Sequence, residues 1–190
     1  MGNINNNGIV ERQLNIQENN GPIHLSAKSR FSKRFEKLNT EVASNEKYDG
    51  FMDDFKYYIT KLDGVGMTTK LCDGGFHENE IILATRRKEK YAKKLEINRF
   101  FESAQWIDSY IFAKIKIDFE TYVEPLIFKG IDKEVILQTV LEKVITPVLD
   151  LINIEGENDE ILNYNVEDIY GMIYYLTGKC HINWKNYDSI

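Results

Sequence analysis

The stretch Asn165-Val166-Glu167-Asp168-Ile169-Tyr170-Gly171-Met172-Ile173-Tyr174-Tyr175-Leu176-Thr177-Gly178 decides the fold class. Asparagine is a good helix N-cap, because its side-chain oxygen accepts from N–H groups of the first turn that have no other partner. Ile169, Met172, Ile173 and Leu176 recur at three- and four-residue spacing, which places them on one helix face. Gly178 stands where a helix ends and reads as the C′ residue. A helix over Val166 to Thr177 with one apolar face must bury that face against other helices. The tail Cys180-His181-Ile182-Asn183-Trp184 alternates briefly and reads as a short strand.

The same pattern extends toward the N-terminus. Asp132 caps a segment in which Val135, Ile136, Val140, Leu141, Val144 and Ile145 form a wide apolar stripe, and Pro147 breaks or kinks it. Ala104 to Tyr122 is helical, with Trp106, Ile107, Tyr110 and Ile111, and stops before Pro125, which biases Glu124 away from helix. Glu78 to Glu102 reads as a long charged helix built on Ile81, Ile82, Tyr91, Leu95 and Phe100. Phe51, Phe55, Tyr58, Ile59 and Leu62 form another stripe, ended by Asp63-Gly64. The glycine-rich segment Asp63 to Gly75 reads as a loop. Lys28 to Leu38 is short, basic and helical, with Phe31 and Phe35 four apart. The expected fold is mainly α: a compact helical bundle over residues 27–190, with β at its two ends.

Residues 1–26 differ. Seven asparagines fall within the first twenty positions. Asn7-Gly8 and Gly21-Pro22 punctuate turns around Ile9, Val10, Leu14 and Ile16 on one side and Ile23-His24-Leu25 on the other. This is the pattern of an Asn/Gly-rich N-terminal β-ribbon or arm, which a two-stranded unit cannot stabilise alone. It must pair with the body of the chain, with the Cys180–Trp184 tail, or with a sister copy. An unpaired strand edge is a template for another strand, so the intermolecular solution is favoured. Ile9, Leu14, Ile16, Ile182 and Trp184 are the candidate partner-binding residues.

The chain has 190 residues, 43% hydrophobic and 28% charged, with three prolines and two cysteines. These fractions suit a globular domain with a core, and exclude wholesale disorder. No stretch of 18 residues is apolar and uncharged, so no membrane span is expected. The polar start is no secretory signal, and two cysteines make no disulfide framework, so a reducing cytoplasm is the default location. The net charge of −6 is unevenly spread: residues 1–103 carry a net +2 and residues 104–190 a net −8. The densest positive run, residues 86–94, carries +5, whereas no basic residue occurs between Val144 and Gly178. Two readings are open: the halves complement each other within the fold or an oligomer, or a partner reads one charged face.

Few residues signal chemistry. Gly64-Val65-Gly66 and Gly74-Gly75 lack the spacing and strand–loop–helix context of a phosphate loop. Cys72, His77, Cys180 and His181 would supply a Cys2His2 zinc set only if loop and tail met, and adjacent Cys-His ligands are awkward. A buried cysteine and a hydrogen-bonding histidine are the simpler roles, so no metal and no cofactor is expected. A Cys–His nucleophile pair lacks any local sign of an activating base. Asp53-Asp54 and Asp159-Glu160 sit in hydrophilic runs and read as solvated surface. Arg86, Arg87, Lys90 and Lys94 lie on one predicted helix face around Tyr91, a pattern that can neutralise phosphates. No catalytic residue is assigned, and the chain is expected not to be an enzyme.

The run Asp168 to Trp184 resembles the terminal motif of small C-terminal domains in bacterial ABC-three-component systems, a Lamassu-like group of antiphage systems. Glu102-Ser103-Ala104-Gln105-Trp106 fits the same likeness. So does Phe119-Glu120-Thr121-Tyr122-Val123-Glu124-Pro125-Leu126-Ile127 followed by Gly130, and the likeness covers about residues 26–184. It implies an adaptor or oligomerisation subunit that couples an effector to an SMC-like ATPase, with those subunits as partners and a homo- or hetero-oligomer as the assembled state. Nucleic acid would then be met through the complex. The likeness carries no catalytic residues. The alternative is a nucleic-acid-binding module using the basic faces at 28–37 and 86–94, which steep weakening with salt would reveal.

Overall fold

A computed structural model describes residues 28–62 and 64–187, and their regular structure is all helical: nine α-helices and two π-helical segments, with no strand among the described residues. The N-terminal ribbon, with Ile9, Leu14 and Ile16, lies outside the described residues. In order, the helices are α1 (Arg30–Ser44), α2 (Asp53–Ile59), α3 (Met67–Asp73), α4 (Glu78–Asn98), α5 (Glu102–Asp118), α6 (Glu124–Phe128), α7 (Lys133–Thr139), α8 (Thr146–Glu155) and α9 (Val166–Gly178). Helix α5 is central, burying residues from Ser103 to Ile115 on several faces. It is flanked by α1, α2, α8 and α9, while α4 lies along α9 in the most extensive helix pair.

Five expectations are corrected. The glycine-rich segment after Asp63 is not all loop, because Met67–Asp73 forms α3. Met67 and Leu71, four apart, are both buried and anchor that short helix to the core. The long helix does not run to Glu102: it ends at Asn98, and Gln105 clamps the break. The Gln105 amide nitrogen donates to Gly50 O (2.9 Å) and Arg99 O (2.7 Å), and its oxygen accepts from the Met52 N–H (2.8 Å).

Neither proline ends its helix. A π-helical segment, Phe119–Val123, carries α5 into α6, and another, Val140–Ile145, carries α7 into α8. Each finishes just before a proline-containing first turn, at Pro125 and Pro147. The wider π turn shifts the hydrogen bonds to i→i+5: Glu124 N–H donates to Phe119 O and Thr146 N–H to Leu141 O. A proline that cannot donate is thereby accommodated without ending the rod.

The fourth correction is the C-terminal strand. The 180–187 segment has its expected alternation, but no strand lies beside it, and it packs onto helices instead. Trp184 is 5% exposed. It contacts the rings of Phe76 and Phe119 at centroid distances of 4.9 and 5.1 Å, and its indole N–H donates to Thr177 Oγ1 (3.1 Å). Lys70, also buried, donates to Asn183 Oδ1 (2.6 Å) and holds the tail from α3. The turn into this tail uses Cys180, not Gly178, as the C′ residue. Cys180 has φ +71°, with Cys180 N–H to Thr177 O and His181 N–H to Leu176 O, the double bond of a Schellman cap. Gly178 stays within α9.

Candidate functional site

The seam between α4 and α9 gathers the charged residues singled out by the sequence. Gly171 lets the two helices approach so closely that a Cβ there would stand 2.6 Å from Arg87 O and 2.7 Å from Tyr91 Cβ. With the backbones in contact, the basic face of α4 meets the acidic start of α9. Arg87 forms a two-pronged pair with Glu167, Nε to Oε2 at 2.9 Å and Nη2 to Oε1 at 2.7 Å, and its guanidinium lies 4.3 Å over the Tyr170 ring. Hydrogen bonding from Arg87 holds the Glu167 carboxyl below the usual range. Lys94 Nζ donates to Asp168 Oδ2 (2.7 Å) and to Asn163 O (2.9 Å).

Asp168 is fully buried and serves twice, because its Oδ2 also accepts from the Asn165 N–H (3.1 Å) in a capping box with Asn165. Lys90 Nζ stands 4.0 Å from Asp168 Oδ1. Of the four basic residues, Arg87 and Lys94 are engaged within the chain, while Arg86 and Lys90 remain exposed. Arg87 and Lys94 of the basic run are thus paired with acidic residues at the start of α9 across this seam.

Beneath the seam lies a carboxylate that no sequence pattern announces. Asp108 of α5 is fully buried, and its Oδ1 accepts from the hydroxyls of Tyr164 (2.6 Å) and Tyr91 (3.1 Å). Its Oδ2 is buried with no hydrogen-bond partner among the described residues. Burial raises its pKa to about 7, against the two tyrosine hydrogen bonds, which favour the charged form. Burial, together with the Asp108 charge, pushes the hydroxyls of Tyr91 and Tyr164 well above their ordinary range. Burial also pushes Tyr175, stacked 5.9 Å from Phe112, up to about 12.

The cysteines and histidines are placed apart from this cluster. Cys72 is exposed, and Cys180 is buried with its thiol toward Val65 O (3.4 Å). His181 is buried between the rings of Tyr57 (4.8 Å) and Tyr58 (5.3 Å), and burial pushes its pKa down, so the imidazole is neutral near pH 7. Among the described residues no three His, Cys, Asp or Glu side chains gather as a metal-binding group. Ile182 and Trp184, named from sequence as partner contacts, are both buried in the core of this chain.

Large apolar side chains are exposed on several elements, among them Ile97 of α4, Ile154 of α8 and the α6–α7 hairpin. Neither α6 nor α7 buries a residue, and in this hairpin Phe128 is 54%, Ile131 38% and Val135 49% exposed. No described helix is long and apolar enough to cross a membrane.

The residues that carry the family likeness hold this architecture. Glu102 pairs with Lys37 (2.6 Å), and Ser103 donates to the buried Glu41 through N–H (3.0 Å) and hydroxyl (2.9 Å). The Phe119–Ile127 motif contains the π turn, and Gly130 has φ +65° in the hairpin connection. No curated protein and no solved structure matches the chain significantly. Comparison with protein families matches residues 66–184 to C-terminal domain 9 of the ABC-three component systems. That match takes in α3 to α9, the α4–α9 seam and the Trp184 tail, and with it the chain belongs to the family of C-terminal domain 9 of the ABC-three component systems.

Proposed function

We propose that the chain is a non-enzymatic adaptor, coupling an effector to an SMC-like ATPase within a bacterial antiphage complex. Family membership supports a place in a multi-component system. The observation that carries the adaptor reading is the α6–α7 hairpin. Phe128, Ile131 and Val135 face outward there, while Ile127, Ile136 and Leu137 pack on the core and hold the hairpin to it. Exposed apolar side chains grouped on one element mark a surface for another protein. The π turns at the root of the hairpin keep its arms continuous with α5 and α8.

The test is co-purification with the other subunits of its own system. Phe128→Glu and Val135→Glu should leave helicity unchanged and reduce recovered complex at least about tenfold, as loss of interface anchors does. Undiminished complex with both variants would remove the hairpin from the reading. Nuclease, protease or NAD-cleaving turnover by the purified chain, abolished on substituting His77, His181, Cys72 or Cys180, would overturn the non-enzymatic part. The nucleic-acid alternative rests on Arg86 and Lys90, which stay exposed beside the engaged pairs. It requires binding that weakens steeply with salt.

A further inference from the structure

Helix α1 lies antiparallel on α5. The Phe31 ring is 4.9 Å from that of Tyr110, the Arg34 guanidinium lies 5.2 Å over Trp106, and Lys37 pairs with Glu102 (2.6 Å). Followed back toward its N-terminus, α1 therefore points along α5 from Tyr110 toward Ile117. Helix α8 forms a second wall. Ser29 donates to Glu155 at the end of α8, and the π-helical segment before its start packs against the one after α5. A groove between α5 and α8 thus continues beyond Ser29, where α1 stops filling it.

The walls of this continuation are largely apolar. Tyr110, Ala113 and Ile117 follow one another at i, i+3 and i+7 on α5, and Leu151 and Pro147 stand four and eight residues before Glu155 on one face of α8. Tyr110 is exposed and Ile117 is 59% exposed, while Ala113, Leu151 and Pro147 are half-buried. One segment of the chain arrives at this place: residues 23–27, outside the described residues, lead into Lys28. The Ser29 backbone is extended (φ −63°, ψ 166°). A chain carried on in that form covers about 3.3 Å per residue, against about 1.5 Å in a helix. Four such residues, about 13 Å, span the roughly 10 Å from Tyr110 to Ile117 and bring Leu25 level with Ile117.

We propose that this groove is the seat of the Ile23-His24-Leu25 stretch of the same chain. Leu25 lies between Ile117 and Pro147, and Ile23, two residues earlier, falls on the same side one step further along α5. Gly21-Pro22 then punctuates the turn that closes the stretch. Where the chain arrives selects this face over the other exposed apolar residues. Ile97 of α4 stands beyond the opposite end of α1, where Tyr48 N–H donates to Phe100 O (2.7 Å), and the 15 residues of α1 span about 22 Å. The Cys180–Trp184 tail, another seat expected for the N-terminal arm, has Ile182 and Trp184 already buried in the core. The seat does not depend on the adaptor reading, whose hairpin variants are assayed in the assembled complex.

The test is disulfide trapping in the full-length chain, in a Cys72→Ser background because the Cys72 thiol is exposed. On oxidation of dilute protein, Leu25→Cys with Ile117→Cys should close within one chain at least about tenfold faster than Leu25→Cys with Ile154→Cys, since a disulfide needs Cα atoms within about 7 Å. Ile154 is the control because it neighbours Glu155, level with Ser29, and is exposed. A tethered segment without a seat would reach it as readily as Ile117. Equal or faster closure with the Ile154 variant would overturn the proposal. So would cross-linked dimers in place of closed monomers, which would give the groove to a second copy. Trypsin cleavage after Lys28 reads the seat without cysteines. Ile117→Glu should speed it at least about fivefold with helicity unchanged, because cleavage follows local release of the segment. An unchanged cleavage rate would overturn the proposal as well.

Discussion

The Tyr164 hydroxyl donates a 2.6 Å hydrogen bond to Asp108 Oδ1 in the buried core, and among the described residues no cation pairs with this carboxyl. Tyr164 precedes the Asn165 cap of α9, so one buried bond ties the entry of that helix to the middle of α5. The Lys94–Asp168 ion pair of the seam lies on the other side of Tyr164, with Lys94 Nζ 5.4 Å from its ring.

This arrangement makes stability fall as pH rises. The Asp108 pKa goes from its ordinary 3.8 to about 7 in the fold, so between those values the folded chain binds a proton the unfolded chain has released. The stabilisation is complete below about pH 4 and is lost as pH rises through about 7, an effect on the order of 4 kcal/mol. Salt-bridged carboxyls with lowered pKa, such as Glu80, Glu102 and Glu167, act in the opposite sense at low pH. Asp108→Asn isolates the first effect. The difference in urea stability between pH 5 and pH 8 should shrink in the variant, and at pH 8 the variant should lose little or gain. An unchanged pH difference would show that Asp108 titrates normally.

Two glycines of α9 separate packing from propensity. A Cβ on Gly171 would overlap the backbone of α4, whereas one on Gly178 meets nothing closer than 3.8 Å. Gly171→Ala should destabilise by about 3 kcal/mol, since the overlap is with backbone that cannot step aside. Gly178→Ala should be neutral or stabilise by up to about 1 kcal/mol, as alanine does at an unstrained helical site. Thermal unfolding of the two variants side by side checks both signs.

The helices were legible because their apolar spacing is undisturbed. Phe31 and Phe35, and the Ile169 to Leu176 stripe, are buried as the periodicity requires. What escaped was anything settled by partners distant in sequence. Gln105 and Asp108 look like ordinary polar helix residues, and Gly50, Met52, Arg99, Tyr91 and Tyr164, brought up by folding, give them roles. The prolines misled for a related reason, because local rules count the lost hydrogen bond but not a π turn held in place by core residues Phe119, Val123, Val140 and Val144. The basic run of α4 was visible, but its acidic complement lies 74 residues away in the Lys94–Asp168 pair, and nothing local says they meet.

Trp184 should behave as core. Its ring contacts with Phe76 and Phe119 and its bond to Thr177 place the tail among the stabilising elements. Trp184→Ala should cost about 4 kcal/mol, in the range of buried aromatic truncations. Trp184→Phe, which keeps most of the packing and leaves the Thr177 hydroxyl without its donor, should cost about 1 kcal/mol. Urea denaturation followed by far-UV circular dichroism reads both. A loss under about 1 kcal/mol for the alanine variant would mean that the tail detaches without consequence.

The four basic residues of α4 should divide into two classes. Asp168 is fully buried, and Lys94 supplies its 2.7 Å partner, so Lys94→Met strands a carboxylate in a poor environment. Breaking a buried pair from one side costs about 3 kcal/mol, and the partial exposure of Lys94 places the expected loss nearer 2. Arg87→Met also removes a two-pronged bond, but Glu167 is nearly half exposed and can be hydrated, so about 1 kcal/mol is expected. Lys90, with its side chain 54% exposed and 4.0 Å from Asp168, and the exposed Arg86 should each change stability by less than about 0.5 kcal/mol. Chemical denaturation of the four single variants at two ionic strengths gives the order. If Lys94 and Lys90 prove equally dispensable, the α4–α9 seam is not held by its charges, and Gly171 packing alone accounts for it.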